Sequence, residues 1–476
     1  MTTVSLSLTP PATNVILHAF DWPYTRVTEH ALALYQAGFK AVLVSPPMKS
    51  LHRPEGTPWW QRYQPQDYRV IDNQLGNTAD FTRMINTLQA CGIDVYADIV
   101  FNHMANESAI RTDLTYPSKD VLKDYSDRRG YYEPLTLFGD LSQPLFTDSD
   151  FVEAFPIEDW DNPWEVQHGR LSGGKSDPGL PTLNSHDNVV KKQQDYLRAL
   201  KALGVKGFRI DAAKHLTLAH IQAVWTPAIC EGMHVFGEII TDGGVSKAEY
   251  ALYLDPYLTD TRLGAYDFPL FHSLFNVFEK NVPMTSLDHA YSVGEALAFD
   301  RAITFAITHD IPNNAVFINQ VMTEQHERLA YCYILGRDGG VPLIYSDLDT
   351  SGIEDKAGAP RWMDSWKNPE LQCMIAFHNQ MHPYPMTLLA AGEDYILFSR
   401  GEQGIVAINR GESAITLPLP EGQHYRNALA PLSGTGATVD EARVGSDTVA
   451  GSITLAGKDC VMLINVASYG KPAALR

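Results

Sequence analysis

Short apolar runs alternate with amphipathic stretches from Asn14 to about Tyr384. The runs are apolar on both faces and rich in β-branched residues, which is typical of strands buried in a parallel sheet. They are NVILHAF (14–20), AVLVSPP (41–47), DVYADIV (94–100), GFRIDA (207–212), HVFGEII (234–240), AYDFPLF (265–271), AITFAITHD (302–310) and PLIYSD (342–347). Eight strand–helix units over this length predict a (β/α)₈ barrel. A doubly wound open sheet is the alternative, although such sheets seldom need eight units.

Two parts of the chain depart from this alternation. After DIVFNH (98–103) the next clear helical pattern begins near His186, and the Tyr-, Pro-, Gly- and Asp-rich segment between them is far longer than an ordinary βα loop. We expect a small inserted domain of irregular and β structure there. After Tyr384, short apolar runs alternate with Gly and Asn turns, which predicts an antiparallel β-sandwich. The predicted domains are a barrel (1–103 and 186–384), an inserted domain (104–185) and a C-terminal β-sandwich (385–476).

Composition narrows the class of partner. The 476 residues are 45% hydrophobic and 20% charged, as in a folded globular protein. Lys and Arg total 37 against 56 Asp and Glu, which gives a net charge of −19. A surface this acidic repels phosphates, so we expect no nucleic-acid partner and no anionic membrane partner. We expect a monomer, and the sequence has no apolar run of the roughly 18 residues that a membrane span needs.

The N-terminal segment and the cysteines bear on location. MTTVSLSLTPPATN has neither a basic start nor a long apolar stretch, so a cytoplasmic protein is expected, or a secreted one if a leader has been trimmed from this chain. The five cysteines are widely spaced and form no C-x-x-C pair, so free thiols are expected instead of a zinc or redox motif.

Candidate chemistry lies at the ends of four predicted strands, where (β/α)₈ barrels form their active sites. The ends are Asp98-Ile-Val-Phe-Asn102-His103, Arg209-Ile-Asp211-Ala-Ala-Lys214-His215, Gly237-Glu238 and Thr308-His309-Asp310. One carboxylate in such a place is usually a paired structural group, because isolated buried charge is costly. Several that converge on one barrel mouth indicate catalysis.

Two of these carboxylates have contrasting surroundings. Arg209 and Asp211 are two residues apart on a strand, so they share a face, and the arginine should keep Asp211 ionised as a nucleophile requires. Glu238 lies between Val-Phe-Gly and Ile-Ile, and an apolar setting raises the pKa of a carboxyl group, as a general acid requires. Glycoside hydrolysis uses such a pair of carboxyl groups.

The ordered set DIVFNH, GFRIDAAKH, FGEI and THD resembles the four signature regions of the α-amylase family, glycoside hydrolase family 13. The segment PWWQRYQPQDYRVIDNQLGNTADF, the long insertion after the third strand and the β-rich C-terminal part are similar to α-amylases proper. The resemblance covers nearly the whole chain. Each motif alone is weak, but their order is specific.

The resemblance implies that Asp211 is the nucleophile, Glu238 the general acid/base and Asp310 the stabiliser of the transition state. It also implies that seven neighbouring residues bind substrate, namely Tyr63, Trp60, His103, Arg209, Lys214, His215 and His309. Tyr63 would stack on the sugar at the point of cleavage, and Lys214 and His215 would lie on the leaving-group side. Asp98 would brace the site by hydrogen bonding.

The resemblance also raises the question of calcium. Asn102 and the backbone carbonyl of His215 match calcium ligands of the family, but Thr182 stands where the family usually has a carboxylate. Calcium favours charged oxygen ligands, so the sequence leaves bound calcium open. No organic cofactor is expected, and no chloride, because THDIPNN replaces the commoner run that holds it. For Trp160, Trp164, Trp362 and Trp366, aromatic packing is favoured over sugar binding.

The expected function is retaining hydrolysis of α-1,4-glucosidic bonds in starch, glycogen or maltooligosaccharides. The alternatives within the same chemistry are a transglycosylase and an exo-acting enzyme that forms maltooligosaccharides. Sucrose phosphorylase is weaker and rests only on a likeness around NHMANES (102–108). A non-catalytic relative is disfavoured because Asp211, Glu238 and Asp310 are all retained.

Overall fold

A closed barrel of eight parallel strands forms the body of the protein. The computed structural model describes residues 14–54, 56–288, 290–429 and 448–468. The barrel strands follow one another around the barrel in chain order and then close on the first. They are β1 (Ile16–Ala19), β2 (Ala41–Val44), β3 (Asp94–Ile99), β4 (Gly207–Ile210), β5 (His234–Gly237), β6 (Gly264–Tyr266), β7 (Ala302–Thr304) and β8 (Val341–Ser346). The predicted (β/α)₈ barrel is confirmed, and the open sheet is excluded.

Helices connect and surround these strands. They are α1 (Tyr24–Gln36), α2 (Thr78–Ala90), α3 (Lys119–Asp127), α4 (Arg129–Tyr132), α5 (Pro163–His168), α6 (Asp187–Leu203), α7 (Leu218–Val224), α8 (Pro227–Cys230), α9 (Asp255–Asp260), α10 (Phe268–Glu279), α11 (Asp310–Asn313), α12 (Glu324–Gly336) and α13 (Pro369–Met381). Sequence signals fix several ends: Asn77 caps α2 in a capping box, and Gly204 ends α6 with a φ of 108°. Among the described helices, none has both the length and the apolar character needed to cross a bilayer.

The strand predicted over 265–271 is wrong in its second half. The chain leaves β6 after Tyr266, and the Asp267 side chain then accepts a hydrogen bond from the backbone N–H of Leu270 (3.0 Å). Asp267 thus caps α10, with Pro269 in the first turn of that helix. An Asp cap followed by Pro is a helix start that outweighs the apolar pattern.

The segment between β3 and α6 contains less β structure than we expected. Its described residues hold the helices α3, α4 and α5, and strand pairing is limited to isolated bridges such as His103 with Thr182. A small apolar cluster of Val70, Tyr125, Tyr132 and Leu135 packs this segment against the loop after β2. The segment therefore lies over the rim where the parallel strands end.

Two antiparallel sheets follow the barrel. One has six strands in the order β9 (Met386–Ala391), β10 (Tyr395–Arg400), β11 (Gly404–Asn409), β16 (Asp459–Asn465), β13 (Tyr425–Asn427) and β14 (Thr448–Val449). The other pairs β12 (Ile415–Pro418) with β15 (Ser452–Leu455). Leu417 and Leu455 of the small sheet pack on Leu397, Ile405 and Leu463 of the large one. The range predicted for the β-sandwich, 385–476, includes residues 430–447 and 469–476, which lie outside the described residues.

Candidate active site

Asp211 and Glu238 occupy matching positions at the ends of neighbouring strands. Ile210 of β4 pairs with Gly237 of β5, and each carboxylate residue is the next one along its chain. The ladder continues through both, because Asp211 N–H donates to the Ile99 carbonyl and Glu238 N–H to the Ile210 carbonyl (both 2.9 Å). Each residue is 7% exposed. The backbone itself therefore sets the two carboxyl groups side by side.

The Arg209 guanidinium, fully buried, joins four carboxyl groups. Its Nη1 donates to both oxygens of Asp98 (2.8 and 2.9 Å) and to Oδ1 of Asp211 (2.7 Å). Its Nη2 donates to Oε1 of Glu238 and lies 3.9 Å from Oδ2 of Asp310. Asp98 and Arg209 are register partners within β3 and β4, whereas the other three carboxyl groups come after the ends of their strands. Asp98 is therefore the most deeply buried of the four carboxyl groups. Asp98 braces the arginine, as we expected.

Glu238 has the environment of a proton donor. Burial is the main cause that raises the pKa of Glu238 to about 8, and the Asp310 carboxylate, within hydrogen-bonding reach, raises it further. The Arg209 guanidinium and the backbone N–H of Ala212 (2.9 Å from Oε2) oppose this shift in pKa. Ala212 adopts a left-handed φ of 48°, and the sharp turn after Asp211 directs its N–H at Glu238.

The sequence led us to expect that Arg209 keeps Asp211 ionised, but in the structure the pKa of Asp211 is raised. Burial raises the pKa of Asp211 well above its usual value, while Arg209 opposes that rise without cancelling it. Burial likewise raises the pKa of Asp98 and of Asp310. One guanidinium cannot neutralise four ionised carboxylates in a buried site, so the group shares protons at low pH. Asp211 is therefore a carboxylate only above its raised pKa.

Aromatic rings form the wall beside these carboxyl groups. Tyr63 stacks on His309 (centroids 5.4 Å apart) and donates its hydroxyl to Oδ2 of Asp98 (2.7 Å). Phe20 also stacks on His309 (4.5 Å), and Trp59 meets it edge-on (5.8 Å). Trp60, which we expected to bind substrate, lies under the Arg53 guanidinium (5.6 Å).

The site histidines are neutral near pH 7. Nε2 of His103 lies 2.9 Å from the Tyr63 carbonyl, and burial lowers the pKa of His103 to about 4. Burial and the Arg209 charge lower the pKa of His309 well below its usual value. Neutral imidazoles can hydrogen-bond sugar hydroxyls without adding charge. His18 and Phe20 also line this wall, and the rule that strand ends carry the site could have found them at the end of β1.

Lys214 and His215 lie on the short 3₁₀ turn Ala213–His215, directly after Asp211 and Ala212. Lys214 pairs with Glu249, and Nδ1 of His215 lies 2.8 Å from the Val166 carbonyl of the inserted segment. Trp160 meets His215 edge-on (5.9 Å) and is 53% exposed. Trp362 and Trp366 are buried, in agreement with the expected aromatic packing. Trp164 is 58% exposed, yet it stacks on Phe155 and His168 (centroids 5.5 and 4.9 Å away).

The residues that match the family's calcium site do not form a calcium donor set. Oγ1 of Thr182 is directed at the carbonyls of Gly169 (3.2 Å) and Leu180 (3.3 Å). The Asn102 amide lies 3.3 Å from Nδ1 of His103. In the part of the chain that the structure describes, no group of three or more His, Cys, Asp or Glu side chains could hold a metal ion. Without a carboxylate these residues fit calcium poorly.

Comparison with known proteins identifies the family of this chain. Residues 26–334 match the model of the α-amylase catalytic domain. An α-amylase of Aeromonas hydrophila is 49% identical over 397 residues, covering 83% of this chain and 84% of that protein. An α-amylase of Thermomonospora curvata is 29% identical, covering 86% of this chain and 66% of that protein.

Solved structures with lower identity share the fold. A variant of α-amylase I from Eisenia fetida, in complex with maltohexaose, superposes with a TM-score of 0.74 at 22% identity, covering 96% of this chain and 98% of that one. The cyclomaltodextrin glucanotransferase CldA superposes with a TM-score of 0.68 at 19% identity, covering 96% of this chain and 99% of that one. By the catalytic-domain match and the Aeromonas relative, the chain belongs to the α-amylase family and is a glycoside hydrolase.

Proposed function

We propose that the protein hydrolyses α-1,4-glucosidic bonds of starch, glycogen or maltooligosaccharides with retention of configuration. The observation that carries this proposal is the pair Asp211 and Glu238 on adjacent nitrogens of Arg209. Carboxyl groups so placed favour the spacing of a retaining pair, about 5–5.5 Å, over the roughly 6.5–9.5 Å of an inverting pair. The α-glucan substrate is supported by the relatives, which are α-amylases.

The first step forms a covalent intermediate. The Asp211 carboxylate attacks the anomeric carbon while Glu238, protonated because of its raised pKa, gives its proton to the departing glycosidic oxygen. Positive charge that develops on the sugar ring is stabilised by Asp310 and by the remaining negative charge of the cluster. The ring wall of Tyr63 and His309 holds the sugar at this point.

The second step releases the sugar. The Glu238 carboxylate takes a proton from water, the water oxygen bonds to the anomeric carbon, and the ester bond to Asp211 breaks. Glu238 is then protonated again and Asp211 is again a carboxylate. Two inversions at one carbon restore the original configuration.

Substitution of the three acidic residues tests this assignment. Asp211→Asn, Glu238→Gln and Asp310→Asn should each remove nearly all release of reducing ends from soluble starch while circular dichroism shows a folded protein. Asp300→Asn, at an exposed acidic position outside the site, is the matched control and should retain activity. The anomer released first, read by proton NMR, should be α. Wild-type-like turnover in any of the three variants, or a β product, contradicts the proposal.

We propose further that activity does not require calcium, because Thr182 replaces the carboxylate and Asn102 is the remaining side-chain ligand of the expected set. Protein dialysed against EDTA should keep its turnover rate and its melting temperature, and metal analysis should find less than one calcium per chain. Loss of activity in EDTA that added calcium restores would overturn this.

A cytoplasmic location is also proposed, and the thiols support it. All five cysteines are free, and disulfides are rare in the reducing cytosol. Cell fractionation with antibody detection tests the location, and recovery of the protein outside the cell contradicts it.

A further inference from the structure

Two buried cysteines lie at the junction between the barrel and the large antiparallel sheet, and the proposed reaction does not use them. Cys332 belongs to α12 and is fully buried, and Cys460 belongs to β16 and is 4% exposed. Both side chains carry free thiols. Because one cysteine comes from the barrel and the other from the C-terminal sheet, a bond between them would join these two parts of the protein.

The alternation of side chains along β16 directs Cys460 towards the barrel. Successive residues of a strand point to opposite faces of its sheet. Cys460, Met462 and Ile464 pack in the apolar core that contains the barrel strands and α12. Val461 and Leu463, which lie between them, pack instead with the small sheet. The thiol of Cys460 therefore lies on the face of the sheet that covers the barrel helices.

One stripe of α12 faces the same strand. Nη2 of Arg328 on α12 donates to Oδ1 of Asp459 (3.0 Å), the first residue of β16. Cys332 lies one turn further along α12, so it falls on the stripe that Arg328 occupies. Cys460 is the next residue of the strand after Asp459. The helix and the strand thus bring the two cysteines to the same place on the interface.

The two thiols also influence each other. Burial raises the pKa of Cys332 well above its ordinary value, and the Cys460 side chain, within hydrogen-bonding reach, raises it further. A thiol with a raised pKa is seldom a thiolate and is therefore a slow nucleophile. A dissolved oxidant gains access to such buried thiols when the interface opens locally. We therefore expect the pair to react slowly while the protein stays closed.

We propose that Cys332 and Cys460 are a redox-sensitive pair, which closes to a disulfide in oxidising surroundings and then ties the barrel to the C-terminal sheet. The oxidant is a small disulfide such as oxidised glutathione. One cysteine thiolate attacks a sulfur of the small disulfide, which forms a mixed disulfide and releases a first small thiol. The other cysteine thiolate attacks the protein sulfur of the mixed disulfide, and a second small thiol leaves. The protons of the two cysteines go to the two small thiols.

The effect of this disulfide is on resistance to heat. The chain itself joins the barrel to the sheet between α13 and β9, and the disulfide adds a second covalent connection far from the first. A cross-link between residues so distant in the sequence restricts the unfolded chain and so favours the folded one. In a reducing cytosol the pair stays as two thiols, and the added connection is absent.

The experiment uses the complete wild-type protein. It is equilibrated with reduced and oxidised glutathione at several ratios, at a temperature just below its melting temperature, then quenched with acid, unfolded, alkylated and digested. Mass spectrometry should find the Cys332 peptide joined to the Cys460 peptide, in a fraction that rises with the share of oxidised glutathione. The oxidised protein should melt about 5 °C higher than the same sample after dithiothreitol. Thiols that remain alkylated at every ratio, or an oxidised protein that melts no higher, would overturn the proposal.

Variants of the pair show which thiols are responsible. Cys332→Ala and Cys460→Ala should each melt at the same temperature before and after dithiothreitol. Each variant is compared with itself, so the stability lost by truncating a buried side chain does not enter the comparison. Cys91→Ala, at a half-buried cysteine that follows α2, is the matched control and should keep the full difference of the wild type. A variant of the pair that still gains stability on oxidation would contradict the assignment.

Discussion

Replacing Glu238 with glutamine should stabilise the protein at neutral and alkaline pH while removing its activity. The pKa of Glu238 is about 8 in the folded protein, against an ordinary value of 4.5 that applies to the unfolded chain. Between these values the unfolded chain has lost the proton and the folded protein still holds it. Wild-type stability therefore falls as pH rises from about 4.5 to about 8. A glutamine has no proton to lose, so the variant escapes this fall.

The size of the effect follows from the two pKa values. Each pH unit between them costs about 1.4 kcal/mol of unfolding free energy. From pH 5 to pH 7.5 wild type should lose about 3 kcal/mol relative to Glu238→Gln. Little of this is screened by solvent, because Glu238 is 7% exposed. The amide also loses one contact where its NH₂ faces the N–H of Ala212, but that cost does not change with pH and cancels in the comparison.

Urea unfolding followed by far-ultraviolet circular dichroism measures this difference. Both proteins are unfolded at pH 5, 6, 7 and 7.5 at constant ionic strength, and the difference in unfolding free energy is plotted against pH. The unfolding free energy of Glu238→Gln should rise relative to that of wild type as the pH increases. The unfolding free energy of Glu231→Gln, a change at an exposed glutamate, should follow that of wild type. A difference that stays constant across the range would refute the raised pKa of Glu238 and with it the reasoning for its role as the acid.

Three further outcomes follow from the site. In a pH profile, kcat/KM should fall above about pH 8 as Glu238 loses its proton. At acid pH, kcat/KM should begin to fall at a pH above 3.8, the ordinary pKa of Asp, because the pKa of Asp211 is raised. A fall on the alkaline side that begins near pH 6 would contradict this. Tyr63→Phe removes the hydroxyl that donates to Asp98 (2.7 Å) and should lower kcat/KM on maltoheptaose by about ten- to a hundredfold with the ring stack retained, and an unchanged value would show that this bond is dispensable. Thr182→Asp should make the melting temperature rise with added calcium, and Thr182→Asn, which adds no charge, should not; equal responses would contradict the reading of the donor set.

The barrel was predictable because its strands are short, apolar and buried on both sides, so their pattern hardly depends on the rest of the fold. The positions of the two candidate carboxylates were predictable for a related reason. Asp211 and Glu238 stand directly after such strands, where a charged residue is costly and therefore conspicuous. The prediction failed where a local signal competed with the pattern, as at Asp267, whose cap turns an apolar run into a helix.

Other features could not be predicted, because they depend on contacts between distant parts of the chain that the hydrophobic pattern does not show. The ion pair of Lys214 and Glu249 joins loops after two different strands. Trp59 and Trp60 are adjacent and chemically alike, and only the fold decides that Trp59 faces the site rings. The inserted segment has no regular hydrophobic pattern, so its short helices were not predicted. The net pKa of Asp211 likewise depends on four carboxyl groups that meet only in the folded barrel.

Arg209 explains why so many carboxyl groups can be buried together. A guanidinium is planar and presents several donors at fixed angles, so a single side chain reaches Asp98, Asp211 and Glu238 at once. Asp98 is the carboxylate that acts most strongly on Arg209, and it also accepts a hydrogen bond from Tyr63. Arg209 lowers the pKa of Asp211 and of Glu238, but burial raises both by more. The pKa of Glu238 therefore stays raised to about 8 beside the arginine, and the proton that it holds is the one that the proposed first step needs.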